Sequence, residues 1–297
     1  DIEKCSLINT KDCKDANSFL QKYGTKALND AYLSAEKIID SENDFDFNMI
    51  VEEAEIHGLT KTKPYTIILG ENLGNYHNEI LTSGNFSMIK GKSKSRKTFA
   101  IMMLCRLILS QNKGFVNTST NGVVLFDTEQ FKHHSKRFYN RLESIADVSN
   151  FKMFNLRAYK KSTRLQYIIN YIELHQPTIA IIDNIRDVIK DFNDIGQSDD
   201  IITSLANLME TTETHICSVL HENKGDTNAR GHLGSELTQK AETVFGIETL
   251  EGITTINPDY CRNKEFKPIR FEIIDNIPTL VSSENIKDFT NTNDDIF

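Results

Sequence analysis

From residue 86 onward, short unbroken apolar runs alternate with longer segments whose apolar positions recur every three or four residues. The runs at 86–89, 123–126, 179–182 and 215–220 have the length and composition of strands buried on both faces. Between them lie helical stripes. One runs over 99–104, a second is marked by Phe131, Phe138, Leu142 and Ile145, and a third by Leu165, Ile168, Ile169 and Ile172. The fourth carries Ile201, Ile202, Leu205, Leu208 and Met209. Such alternation predicts an α/β fold, a mostly parallel sheet with helices on both faces. After Thr243 the pattern turns to short strands at 243–248, 253–256, 269–274 and 279–281, a hairpin-rich end to the sheet.

Ahead of residue 86 the pattern is weaker. Residues 1–45 carry two helical stripes, Ala16, Phe19 and Leu20, then Leu28, Ala31, Tyr32, Ala35, Ile38 and Ile39, separated by Gly24. An acidic link at 41–44 leads into a segment, 46–81, expected to be a linker with one strand at 65–69. The division expected is therefore a helical segment to 45, this linker, a main domain over 82–282 and an acidic flexible tail over 283–297.

Composition narrows the class. No apolar run approaches the ~18 residues that span a bilayer, and no signal-like segment opens the chain, so a cytoplasmic protein without membrane contact is expected. Position 1 is Asp, which suggests a fragment of a longer protein. The net charge of −8 excludes a general polycation, so any nucleic-acid contact must use a local basic surface. Five cysteines without a Cys-x2-Cys pair argue against zinc at Cys5 and Cys13, and Cys105 and Cys217 fall in apolar runs as core residues.

The chemistry begins at Gly91-Lys92-Ser93-Lys94-Ser95-Arg96-Lys97-Thr98, set between a predicted strand and a predicted helix. Backbone N–H groups of such a loop, together with a helix N-terminus, form an anion cradle. Lys97 supplies an ammonium for the outer phosphates and Thr98 a hydroxyl for Mg²⁺. Arg96 stands where the Gly-x4-Gly-Lys-Thr pattern has its second glycine, and its charge is expected to face phosphate. Three later strands end in further reactive groups. Glu129 follows the run at 123–126 and is placed to orient and deprotonate a water. Asp183 ends the run at 179–182, where an acid holds Mg²⁺ through water. His221 ends the run at 215–220, where it can sense a terminal phosphate. In an open parallel sheet all three strand ends face one crevice.

These features, GKSKSRKT, VVLFDTEQ, IAIID and SVLHENKGDTNARGHLGSELTQKAETVF, together resemble the RecA-like P-loop ATPases. The likeness is strongest to the hexameric replicative helicases, the primase–helicases and the plasmid-replication helicases. The resemblance implies ATP and Mg²⁺ as ligands, catalysis by Lys97, Glu129 and His221, and single-stranded DNA on a mobile loop over 222–235. There Lys224, Asn228, Arg230 and His232 would follow the DNA backbone among Gly225, Gly231 and Gly234. It also implies a ring, a hexamer in the family's usual form, in which Arg262 and Lys264 reach the neighbouring subunit's nucleotide. Residues 12–39 are similar to the end of a toprim-type primase domain, and the acidic tail ending Asp294-Asp295-Ile296-Phe297 is similar to tails that hold replication partners. The implied activity is an ATP-dependent single-stranded-DNA motor of a phage or mobile element. The alternatives are a signalling or recombinase ATPase that does not unwind, and a catalytically weak ATP-binding clamp or loader.

Overall fold

The computed structural model of the protein describes residues 22–23, 26–27, 66–110, 114–119, 122–223, 228–229 and 231–281. The chain divides into two units, Asp1–Lys63 and Pro64–Phe297. In the first, residues 22–23 and 26–27 are helical. The rest of the expected primase-like segment and the acidic tail lie outside the described residues, as do Lys224 and Arg230.

The second unit is built on a nine-stranded sheet. Its parallel strands are β3 (Phe86–Gly91), β5 (Val123–Asp127), β6 (Phe151–Asn155), β7 (Ile179–Asp183), β8 (His215–His221) and β9 (Thr243–Leu250). Antiparallel β10 (Ile253–Cys261), β11 (Ile269–Ile274) and β12 (Ile277–Leu280) extend it, in the order β12-β11-β10-β9-β3-β8-β7-β5-β6. The central strands are buried along their whole length because helices cover both faces, which is why they read as unbroken apolar runs. A smaller sheet joins β1 (Ile67–Asn72), β2 (His77–Thr82) and β4 (Phe115–Val116), in the order β2-β1-β4.

Helix α1 (Lys97–Leu109) explains the presence of two sheets. It is buried at Lys97, Ala100, Ile101, Met102, Met103, Leu104, Cys105, Leu107 and Ile108, so it is apolar on every side. Ile68, Leu69, Ile80 and Leu81 of the small sheet join it in one core with Ile89, Val219, Phe245 and Phe271 of the large sheet. Helix α2 (Lys132–Glu143) adds Phe138 and Leu142 to that core. The opposite face of the large sheet packs against α3 (Lys161–His175), α4 (Ile195–Thr212) and α5 (Gly231–Lys240), with a 3₁₀ turn at Ile185–Val188. No described helix is long and apolar enough to cross a membrane.

The structure departs from the sequence pattern in three places. The strand expected at 65–69 is β1, at Ile67–Asn72, and its partner β2 lies in the stretch expected to be linker. Strand β6 was not expected either: it is an edge strand, and only Phe151 of its five residues is fully buried. The mobile loop expected over 222–235 ends early, because α5 begins at Gly231 and places His232 in its first turn. Gly234 serves close packing there rather than mobility. A Cβ on it would lie 2.8 Å from both the Ala229 carbonyl carbon and Leu220 Cδ2.

Beneath the first residues of the parallel strands lies a buried polar network. His215 Nδ1 donates to the Thr82 carbonyl at 2.7 Å, which leaves Nε2 to accept from Ser87 Oγ at 2.7 Å. Glu242 accepts from Thr82 N at 3.1 Å and from Thr82 Oγ1 at 2.7 Å. Burial pushes the His215 pKa down from 6.5 to about 4, against the hydrogen bond to Thr82. The unfolded chain therefore binds a proton that the folded chain refuses. The stabilisation is complete above pH 6.5 and is lost as pH falls through about 4, on the order of 3 kcal/mol in all. Urea unfolding of the wild type and of His215→Gln across this window checks it. The variant is expected to show a flatter pH dependence; equal slopes would remove His215 from the acid response.

Candidate nucleotide-binding site

Strand β3 ends at Gly91, where the chain must turn in little space. A Cβ there would lie 2.6 Å from Ser95 Oγ and 3.0 Å from the Ile247 carbonyl oxygen, so only glycine fits. The loop then passes through left-handed backbone at Lys94 (φ 67°) and Arg96 (φ 63°) before α1 begins. This explains why glycine is usual at position 96, since a side chain in that region costs about 1–2 kcal/mol. The Arg96 guanidinium has partners elsewhere. Nη1 donates to the Gly252 carbonyl at 2.7 Å and to Thr254 Oγ1 at 3.4 Å, both in the β9–β10 hairpin. Thr249 Oγ1 of the same hairpin donates to the Ser95 carbonyl at 3.3 Å. Arg96, expected at the phosphates, thus clasps the loop to the hairpin in this structure.

Lys97, the first residue of α1, donates from Nζ to the carbonyls of Gly91 (2.8 Å) and Lys92 (2.7 Å), spanning the loop it belongs to. Burial holds its pKa below the usual lysine value, opposed by the carboxylates of Asp183, Glu129 and Glu222. Ser95 Oγ is buried without a hydrogen-bond partner among the described residues. At the start of α1, Phe99 N and Ala100 N donate to the Arg96 carbonyl, at 3.0 and 3.1 Å, while Lys97 N and Thr98 N come too early in the helix for an acceptor within it. Lys92, Ser93 and Lys94 are exposed, and Thr98 is half-buried.

Opposite the loop, Asp183 ends β7 and is register partner to Asp127 at the end of β5. Burial pushes its pKa up to about 8, helped by the negative charges of Asp127 and Glu129 and opposed by Lys97. Asp127 cages the turn that carries Glu129. Its Oδ1 accepts from Glu129 N (3.1 Å) and Gln130 N (2.9 Å), and its Oδ2 from Ser135 Oγ (2.6 Å). Thr128 Oγ1 both donates to the Asn184 carbonyl (3.0 Å) and accepts from Asn184 N (2.8 Å). Arg164, from α3, donates to the carbonyls of Thr128, Asp187, Arg157 and Tyr159, at 3.2, 3.1, 2.6 and 2.9 Å. One guanidinium thus ties together the turns that follow β5, β6 and β7.

Glu129 is brought to 3.8 Å from His221 Nε2. His221 holds its carboxyl below the usual carboxylate range against the effect of burial, with Asn184 and Lys97 adding to the stabilisation. His221 Nδ1 is buried without a partner among the described residues. Lys97, Glu129, Asp183 and His221 therefore share one crevice at the C-terminal ends of the strands. Asp127, Thr128, Asn184, Arg164 and Glu222 complete it and were not singled out from the sequence. Asp127 was detectable, as a strand-end Asp two residues before Glu129 with a free Asx turn to make.

The remaining expected residues lie elsewhere. Asn228 accepts through its carbonyl from Asn223 N at 2.9 Å, in the turn after β8. Arg262 follows β10 at the opposite end of the sheet. Its N donates to the Glu242 carbonyl (2.7 Å) and its guanidinium to the Lys240 carbonyl (3.3 Å). Lys264 is exposed two residues on. The fold does not bring these two cations to the loop of their own chain.

Among solved structures, that of the RadB recombinase superposes with a TM-score of 0.50 at 14% sequence identity, over 68% of this chain and 93% of that one. The fold is RecA-like. A KaiC-like protein from Pyrococcus horikoshii OT3 gives 0.49 at 12% identity, over 68% of this chain and 91% of the other. The flagellar accessory protein FlaH from Methanocaldococcus jannaschii gives 0.49 at 14%, over 69% and 92%. No family model matches the chain, and no curated protein does.

The clasp on the loop is testable. Arg96→Gly removes the backbone cost and the tie together, so the fold should persist while amide hydrogen exchange at residues 250–253 quickens. Unchanged exchange there would show that the hairpin is held without Arg96.

Proposed function

We propose that the chain is a Mg²⁺-dependent ATPase acting on single-stranded DNA, the helicase part of a phage or mobile-element replication protein. The observation that supports this reading most is the convergence of Lys97, Glu129, Asp183 and His221 on one crevice beside a phosphate-binding loop. The loop fits a polyphosphate: Ser95 Oγ is a buried hydroxyl awaiting a partner, and the Lys97 ammonium is held on carbonyls at the loop's centre. Thr98 and Asp183 offer the hard oxygen donors that Mg²⁺ prefers. Bound there, the metal would neutralise phosphate charge.

The chain's own residues divide the work. The amides of residues 91–98 and the Lys97 ammonium would bind and orient the phosphates. Glu129, ionised and fixed by the Asp127 cage, would align a water and accept its proton. His221, poised between Glu129 and the turn after β8, would relay phosphate loss to the DNA-contacting segment with Lys224, Asn228, Arg230 and His232. Arg262 and Lys264, far from their own loop, would complete the site of the next subunit in a ring. A recombinase-type or signalling ATPase would use the same pocket without strand separation, and a clamp or loader would bind ATP with little turnover. Unwinding of a forked duplex separates the first of these from a helicase.

Lys97→Ala should weaken ATP binding and abolish turnover. Glu129→Gln should keep ATP binding while hydrolysis falls about 10²–10⁴-fold, since shape is retained and the base removed. Filter binding and phosphate release measured on the same preparations read both effects, and normal turnover in Glu129→Gln would exclude it as the base.

The shared site makes a separate claim. Arg262→Ala should leave ATP binding intact and lower turnover by about 10³–10⁵, as loss of an arginine finger does. Adding excess Lys97→Ala subunits, which keep their own cations, should restore part of the rate. Full activity of the Arg262→Ala and Lys264→Ala proteins would sink the ring-shared site.

A further inference from the structure

Charge is distributed unevenly along this acidic chain. Residues 130–164 hold nine Lys or Arg and two Asp or Glu, a net +7 within a protein of net −8. These residues fold together as α2, β6 and the start of α3, at the edge of the sheet. On α2 Lys132, His133, Lys136 and Arg137 are exposed, while Phe138 and Leu142 face the core. Arg157 and Lys160, in the turn between β6 and α3, are exposed as well. Among the described residues none of these cations is paired with a carboxylate.

Aromatic rings lie among the charges. Phe131 is 62% and Tyr159 56% exposed. The Arg157 guanidinium stacks on Phe131 at 3.6 Å, which joins the start of α2 to the β6–α3 turn in one surface. Beside it, Phe154, Leu156, Tyr159, Arg164 and Tyr167 line a cavity of about 200 Å³, room enough for one planar base. Arg164 holds the carbonyls of Arg157 and Tyr159, so the backbone under this surface is tied to α3.

Cations that follow a phosphate backbone, with exposed rings and a cavity for bases between them, are the features that bind single-stranded nucleic acid without sequence preference. We infer that the α2–β6–α3 edge is a binding surface for single-stranded nucleic acid, with Lys136 and Arg137 on the phosphates and Tyr159 stacked on a base. It is separate from the turn after β8, since β6 lies three strands away in the sheet, about 14 Å at the usual strand spacing. It does not depend on ATP turnover, and so stands apart from the function proposed above.

The test is fluorescence anisotropy of a labelled oligo-dT with the full chain and no nucleotide. Lys136→Ala/Arg137→Ala should weaken binding at least tenfold and lower the salt-dependence slope by about 1.4, at about 0.7 per phosphate contact. Tyr159→Ala should weaken oligo-dT binding about 5- to 150-fold while leaving heparin, which has charge without bases, bound as before. Basal ATP turnover should be unchanged in both variants. Unaltered affinity and slope in the double variant would overturn the assignment, as would a loss confined to Lys224→Ala/Arg230→Ala. So would an equal loss of heparin binding in Tyr159→Ala, or a changed sedimentation coefficient with DNA affinity intact, which would give the surface to a second copy of the chain. If the double variant does not fold, photo-cross-linking of bromouracil-containing DNA to the wild type decides the matter: adducts at Phe131 or Tyr159 support the surface, and adducts only elsewhere overturn it.

Discussion

The burial of α1 between two sheets is the constraint from which the crevice follows. A helix apolar on every side cannot rest on a surface, so the small sheet of β1, β2 and β4 closes over it. Each large apolar side chain thus covered is worth roughly 1.5–3 kcal/mol, and Ile101, Met102, Met103, Leu104, Leu107 and Ile108 are all covered. The helix has no freedom to slide, and its N-terminus is fixed at the C-terminal end of β3. Lys97 is therefore buried on the loop's own carbonyls, and Asp183 faces it from the end of β7, two strands from β3 in the sheet. In such surroundings charge interactions are several-fold stronger than in bulk water. Burial disfavours the charged form of each group, which is why the pKa of Asp183 rises and that of Lys97 falls, although each charge partly offsets the other.

Around this fixed point the strand-end turns are held by hydrogen bonds rather than by apolar packing. Asp127 gathers the amides of Glu129 and Gln130, Thr128 locks onto Asn184, and Arg164 spends its donors on four carbonyls. Polar groups positioned in advance need no reorganisation when charge develops, which is the usual source of catalytic stabilisation. The β9–β10 hairpin does the corresponding work on the other side through Arg96. A residue that looks like a defect in the glycine pattern is therefore part of the loop's support.

Legibility in the sequence followed burial. β3, β5, β7 and β8 could be read because strands covered on both faces leave unbroken apolar runs, and the phosphate-binding loop because its chemistry is local. β2 and β6 escaped notice because HNEILT buries polar Asn78 and Thr82 beside Ile80 and Leu81, FKMFN fully buries only Phe151, and neither shows a clean apolar alternation. The glycines of α5 suggested mobility when Gly234 is there for contact with Ala229 and Leu220. Within the crevice, the residues that could react were visible at strand ends, but those that position them were not. Arg96 and Gly252 are 156 residues apart, and Arg164 donates only to backbone carbonyls, which carry no side-chain signature.

Phosphate release by the wild-type chain with Mg²⁺ and ATP, measured with and without single-stranded DNA, tests the central claim most directly. The account predicts slow hydrolysis of ATP alone, dependence on Mg²⁺, and a clear rise in rate when single-stranded DNA is added. No hydrolysis under either condition, with ATP bound or not, would contradict it.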